Sequence, residues 1–185
     1  MRGALFALVI AFLGMSLLLS CKGEPHDPAH VTAIDSMLFQ VDSLERLVKA
    51  IEVPVYLKMD STFRTQKDRL ENAMRDTLNR AQAMAVGNYF RAMTGSLGRV
   101  GNMYDEILRE LADARKQLLN LKHDIGGGLL PEGPEATYLQ QEQLFLANLA
   151  RKVSILMNSA GTAQRNWDDH HAVVDSLLAV PAHTP

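Results

Sequence analysis

From position 34 the chain repeats apolar residues at helical spacing. Ile34, Met37, Val41, Leu44, Val48 and Ile51 follow at intervals of 3-4-3-4-3, which puts them on one face of a helix. Asp27-Pro28 offers its start, with an acidic cap before a proline whose missing N–H costs nothing in the first turn. Pro54 ends or strongly disturbs it, because proline lacks a donor and restricts Val53 before it. A second segment runs from about Ser61 to Met93 along Phe63, Leu70, Met74, Thr77 or Leu78, Ala81 and Met84. Its stripe is less clean, with polar Gln66 and Lys67 in a gap and Gly87 as a weak point. Gly95, Gly98 and Gly101 then read as a turn, with Ser96 as the cap of the next helix.

The third segment is the most regular. Val100, Tyr104, Ile107, Leu111, Ala114, Leu118, Leu121 and Ile125 repeat at 4-3-4-3-4-3-4 and stop at Gly126-Gly127-Gly128, where a left-handed cap is sterically free. After the break GGGLLPEGP, Pro134 opens a fourth segment. Leu139, Glu142, Leu146, Leu149, Val153, Leu156, Ala160, Ala163 and Trp167 are spaced 3-4-3-4-3-4-3-4, and His170, Val174 and Leu177 keep the phase until Pro181. Gly161 is expected to bend or divide this run, with Asn166-Trp167-Asp168 as a corner before a short fifth helix.

Each stripe needs covering. A tight loop makes segments three and four an antiparallel hairpin, and segments one and two complete an all-α, elongated antiparallel four-helix bundle over residues 29–180. The 3.5-residue repeat implies coiled-coil-like packing with left-handed supercoiling. An extended coiled coil built from several chains is the alternative. Residues 181–185 form a tail expected to be disordered.

Composition agrees with helices: aromatic residues are 6% of the chain, while Leu, Ala and Met, all good helix formers, are common. The formal charge is only -2, with both signs interspersed. That excludes nucleic acid as an expected partner, since it calls for a concentrated basic surface. Cys21 is the single cysteine, so no intrachain disulfide is available and the core alone must hold the fold.

The first twenty residues, MRGALFALVI AFLGMSLLLS, follow a different logic. Arg2 is basic, and Ala4 to Leu19 carries no charge. This is short for a permanent span, which wants about 20 apolar residues, and has the proportions of a signal-peptide core. It ends at Leu18-Leu19-Ser20-Cys21, which resembles the lipobox of bacterial lipoproteins. That resemblance implies a signal peptide over 1–20, a diacylglyceryl group on the Cys21 thiol, and cleavage that leaves Cys21 first. Residues 21–28 would then be a tether, and loss of Arg2 would take the charge from -2 to -3. The implied partner is the lipid bilayer, gripped through acylated Cys21 at about 0.8 kcal/mol per buried methylene. Lys22, in place of the aspartate that the family uses for inner-membrane retention, points to the outer membrane. A secreted protein with a chance cysteine, or an uncleaved anchor helix, are the alternatives.

Beyond the leader, the architecture resembles small helical lipoproteins of uncertain function from Bacteroidota-type bacteria. The expected role is structural or protein-interacting, in the cell envelope, with an envelope protein or a second copy as partner and no enzymatic activity. A bundle that binds a small ligand or a divalent metal is the competing reading. Its best residues are Asp168, His171 and Asp175, whose spacing of 3 and 4 puts an imidazole between two carboxylates on one helix face. An ordinary solvated helix face fits the same residues. His170 is expected to point to the core with Val174, and His30 and His123 are outlying candidates. A faint echo, His30 before Asp35-Ser36 and His170 before Asp175-Ser176, fits shared helix composition better than duplication. Methionines such as Met59, Met74, Met84, Met93, Met103 and Met157 suit core filling, and no CxxCH is present for covalent haem. Gly126-Gly127-Gly128 lacks the lysine and Ser/Thr of a phosphate loop, and Ser154, Ser159 and His123 are too scattered for a triad.

Overall fold

The computed structural model describes residues 27–179 apart from 75–77 and 131–132. The leader, Cys21, most of the tether and the 181–185 tail therefore lie outside the described residues. The described chain is all-α, a four-helix elongated bundle. Helix α1 spans Pro28–Lys49 and α2 spans Val53–Ala73. Helix α3, Arg80–Arg91, passes through a π-helical turn, Ala92–Leu97, into α4, Gly98–Gly126, so these form one continuous rod. Helix α5, Glu135–Ala179, is 45 residues long, or about 67 Å at 1.5 Å per residue.

The start of α1 follows the expected chemistry. Asp27 Oδ1 accepts the Ala29 N–H at 2.9 Å, with Pro28 in the first turn. Its apolar stripe is buried throughout: Ile34, Met37, Val41, Leu44, Val48 and Ile51. Pro54 acts differently from its expected role. The chain breaks for only three residues, and α2 then begins at Val53, eight residues before the expected start at Ser61, with Pro54 in its first turn. Where a proline's missing donor is harmless at a helix start, it opens the helix that it was expected only to precede.

The break between segments two and three also moves. It lies between Ala73 and Arg80, where Asn79 and Gln82 form a reciprocal capping box (Asn79 Oδ1 accepts the Gln82 N–H at 2.9 Å). The glycine cluster expected to turn the chain is instead helical. This resets the phase. Ala81 and Met84 are exposed, and Ala85, Val86, Tyr89, Ala92, Met93 and Leu97 are buried in their place. From Tyr89 the buried positions advance by two steps of four, to Met93 and Leu97, before the 3-4 alternation resumes at Val100. A π-turn takes up such an extra residue without breaking the helix. Gly161 neither divides nor ends α5, and the corner and short fifth helix expected near Trp167 are absent: the helix runs unbroken to Ala179.

Contacts fix the directions of the rods. His30 at the start of α1 meets Glu135 at the start of α5, and Gln66 in α2 meets Asp175 near the end of α5. Rod α3–α4 runs the opposite way, since Lys122 reaches Asp35 while Arg115 reaches Asp42 and Glu45. Helices α1 and α2 do not pack side by side but lie end to end, so the four helices occupy three files. Two cores result. The proximal core joins α1, α4 and the first half of α5 through residues such as Val41, Leu111 and Leu149. The distal core joins α2, α3, the π-turn and the second half of α5 through Phe63, Tyr89 and Val174.

Glu142 is the one carboxylate in the α5 stripe, and burial raises its pKa. A carboxyl whose folded-state pKa is raised makes the charged form costly in the fold, so this part of the stability improves as pH falls through that pKa. Glu142→Gln should therefore raise the melting temperature at pH 7. The gain should vanish once the pH drops below the ordinary carboxylate range, which thermal melts across the pH series will show.

Candidate functional site

Two places in the bundle concentrate chemistry. The first holds the residues expected to bind metal. His171 and Asp175 are together on α5, with Nε2 3.2 Å from Oδ2. Asp168 is not with them: its carboxylate accepts the Gln164 side-chain amide at 3.0 and 3.1 Å. Among the described residues no group of three or more His, Cys, Asp or Glu side chains is placed to hold a metal ion. His30 bonds Glu135 at 2.6 Å at the other end of the bundle, and His123 is exposed on α4.

What His171 and Asp175 join instead is a hydrogen-bonded ring across three helices. Gln66 Nε2 donates to Asp175 Oδ1 at 2.7 Å, which turns Gln66 Oε1 toward Tyr89, and the Tyr89 hydroxyl donates to it at 3.1 Å. That uses the only proton of the phenol. His171 closes the ring, with Nδ1 3.4 Å from the same hydroxyl oxygen and Nε2 3.2 Å from the Asp175 carboxylate. Aromatic stacking seats it: the Trp167 and His171 rings are stacked with centroids 3.8 Å apart, and Tyr89 lies 5.9 Å from each. Burial and the nearby Asp175 charge hold the Tyr89 hydroxyl far above the usual tyrosine range, so it acts as a neutral donor. It is His171 that packs against the distal aromatic rings. The ring works as a lock between α2, α3 and α5, and each of its polar groups is spent on another.

The second place is a groove of about 290 Å³ at mid-length, where α1 gives way to α2 opposite the π-turn. One wall is α2, with Tyr56, Asp60 and Arg64, and the other is the start of α4, with Gly98, Gly101 and Asp105. Arg64 Nε bonds Asp60 Oδ2 at 2.7 Å. The Asp105 side chain makes no ion pair among the described residues, and only its backbone carbonyl is used, by Arg109. Burial, with the charges of Glu52 and Asp168, raises the pKa of Tyr56.

Sequence reasoning did not find this groove. Its signal was present, in glycines at positions where the apolar phase continued across them, but a glycine cluster reads first as a turn. Gln66 was visible only as a gap in a stripe, because its partners lie 23 and 109 residues away. No protein-family model, curated protein or solved structure matches this chain.

Proposed function

We propose that the chain is a lipid-anchored lipoprotein of the bacterial outer membrane, whose helical bundle serves a structural or protein-interaction role in the cell envelope. The observation that carries this reading is the uncharged leader ending in Leu18-Leu19-Ser20-Cys21. The bundle is compatible with it. Helix α1 is capped at Asp27, and the residues from Cys21 to there reach at most about 25 Å when extended. The end of the bundle formed by Pro28, Gly127 and Glu135 would then stand close to the bilayer, with the distal core projecting away from it. No described helix is long and apolar enough to cross a membrane, so attachment in this reading rests on acyl chains. Exposed apolar side chains on the helices, such as Phe39 at 69% and Leu144 at 61% exposure, supply contact points for a partner.

Metabolic labelling with radioactive palmitate, followed by membrane fractionation, tests the anchor. The wild-type chain should take up label and sediment with membranes, whereas Cys21→Ser should take up none and be released. An unlabelled wild-type protein, or a Cys21→Ser form that still carries label, would overturn the reading.

A further inference from the structure

We infer that the groove at the π-turn is a binding site for a small organic cation, an ammonium group carried on a compact apolar body. The rod carries a cost that the fold does not explain. Gly95, Gly98 and Gly101 lie within one continuous helical rod, where each glycine is about 1 kcal/mol worse than alanine. None of the three has positive φ, and a Cβ placed on any of them would meet nothing within 4 Å. Neither backbone geometry nor internal packing asks for glycine there. Two of the three, Gly98 and Gly101, line the groove, so the missing side chains leave room for something that approaches the helix backbone. The π-turn beside them is a second departure from ideal helix, and such turns occur frequently at functional sites. The glycines break a local rule without a structural gain, and such places are where function is expected.

The chemistry of the groove selects the ligand. The groove is lined by two carboxylates, Asp60 and Asp105, and by one guanidinium, Arg64, which is already bonded to Asp60. The remaining charge is negative and belongs to Asp105, so the groove repels an anion and offers a cation a partner. Tyr56 and Tyr104 also line it, and their ring faces attract an ammonium. Leu57, 63% exposed, and the half-buried Val53 supply an apolar surface for the body of the ligand. The volume lies at the small end of the roughly 300–1,000 Å³ range of ligand pockets, which limits the occupant to a compact molecule.

Calorimetric titration of the purified full-chain protein with phenethylamine, 2-phenylethanol and phenylacetate tests the assignment, since the three share one apolar body and differ in charge. The amine should bind, the alcohol roughly tenfold more weakly or worse, because it lacks the charge-assisted contact, and the carboxylate weakest of all. Asp105 is exposed, so Asp105→Asn should melt like the wild type while its amine affinity falls toward that of the alcohol. Gly101→Ala should raise the melting temperature and weaken the amine, a combination that a purely structural glycine does not give. Absence of amine binding, equal affinity for amine and alcohol, or an amine affinity unchanged by Asp105→Asn would overturn the assignment.

Discussion

Tyr89→Ala should lower the stability of the folded protein by about 3–5 kcal/mol, the usual cost of truncating a fully buried aromatic side chain. Tyr89 is completely enclosed, with the Phe63, Trp167 and His171 rings 6.1, 5.9 and 5.9 Å away. Its removal opens a cavity at the centre of the distal core and leaves Gln66 and His171 without their shared partner. Tyr89→Phe separates these effects. It keeps the ring and loses the hydroxyl, so it should cost only about 1 kcal/mol. Against a total stability of about 5–15 kcal/mol for a typical domain, the alanine variant should be near the edge of folding and the phenylalanine variant should not. Urea denaturation of the three proteins measures both steps. A loss for Tyr89→Ala below that for Tyr89→Phe would show that the distal core is not packed around this residue.

The contrast between legible and hidden features has a physical basis. The α1, α4 and α5 stripes were visible because each is a local repeat, and burial follows the repeat whichever neighbour supplies the cover. The position of the α2–α3 break was not, because a capping box at Asn79 and Gln82 competes with a glycine cluster at 95–101 as the boundary, and glycine is the stronger local signal. Packing decided otherwise: Met93, Leu97 and Val100 are each at most 3% exposed, so holding them all inward outweighed the helical cost of the glycines between them. The end-to-end placement of α1 and α2 was equally hidden. Their stripes are alike whether they pack side by side or in file, and only the length of α5 requires the second arrangement. As for the candidate site, the i,i+4 pair His171–Asp175 was readable from spacing. Its true partners, Gln66 and Tyr89, come from other helices, and they turn an apparent metal face into a hydrogen-bonded lock.

That dependence on α5 leads to the second large effect, expected from Gly161→Pro. Gly161 lies between Ala160, the last α5 residue of the proximal core, and Ala163, the first of the distal one. A Cβ there would approach only the flexible end of Arg165, at 3.4 Å, so Gly161→Ala should be tolerated and, by helix propensity, slightly stabilising. Proline adds similar bulk at Cβ but removes the N–H and pushes its ring into the preceding turn, at a cost of about 3 kcal/mol or more. The alanine variant thus controls for volume, and the difference between the two isolates backbone continuity. The site of the damage should also be readable. Trp167 is the single tryptophan and packs against the distal core, so its fluorescence reports that half alone, while far-ultraviolet circular dichroism follows all the helices. In the wild type and in Gly161→Ala the two signals should change together, because α5 and the α3–α4 rod run through both cores and couple them. In Gly161→Pro the tryptophan transition should come first, since the smaller distal core then loses the support of the proximal one. Coincident transitions in the proline variant would mean that the α3–α4 rod alone transmits the coupling, and that α5 need not be continuous for the two halves to fold as one.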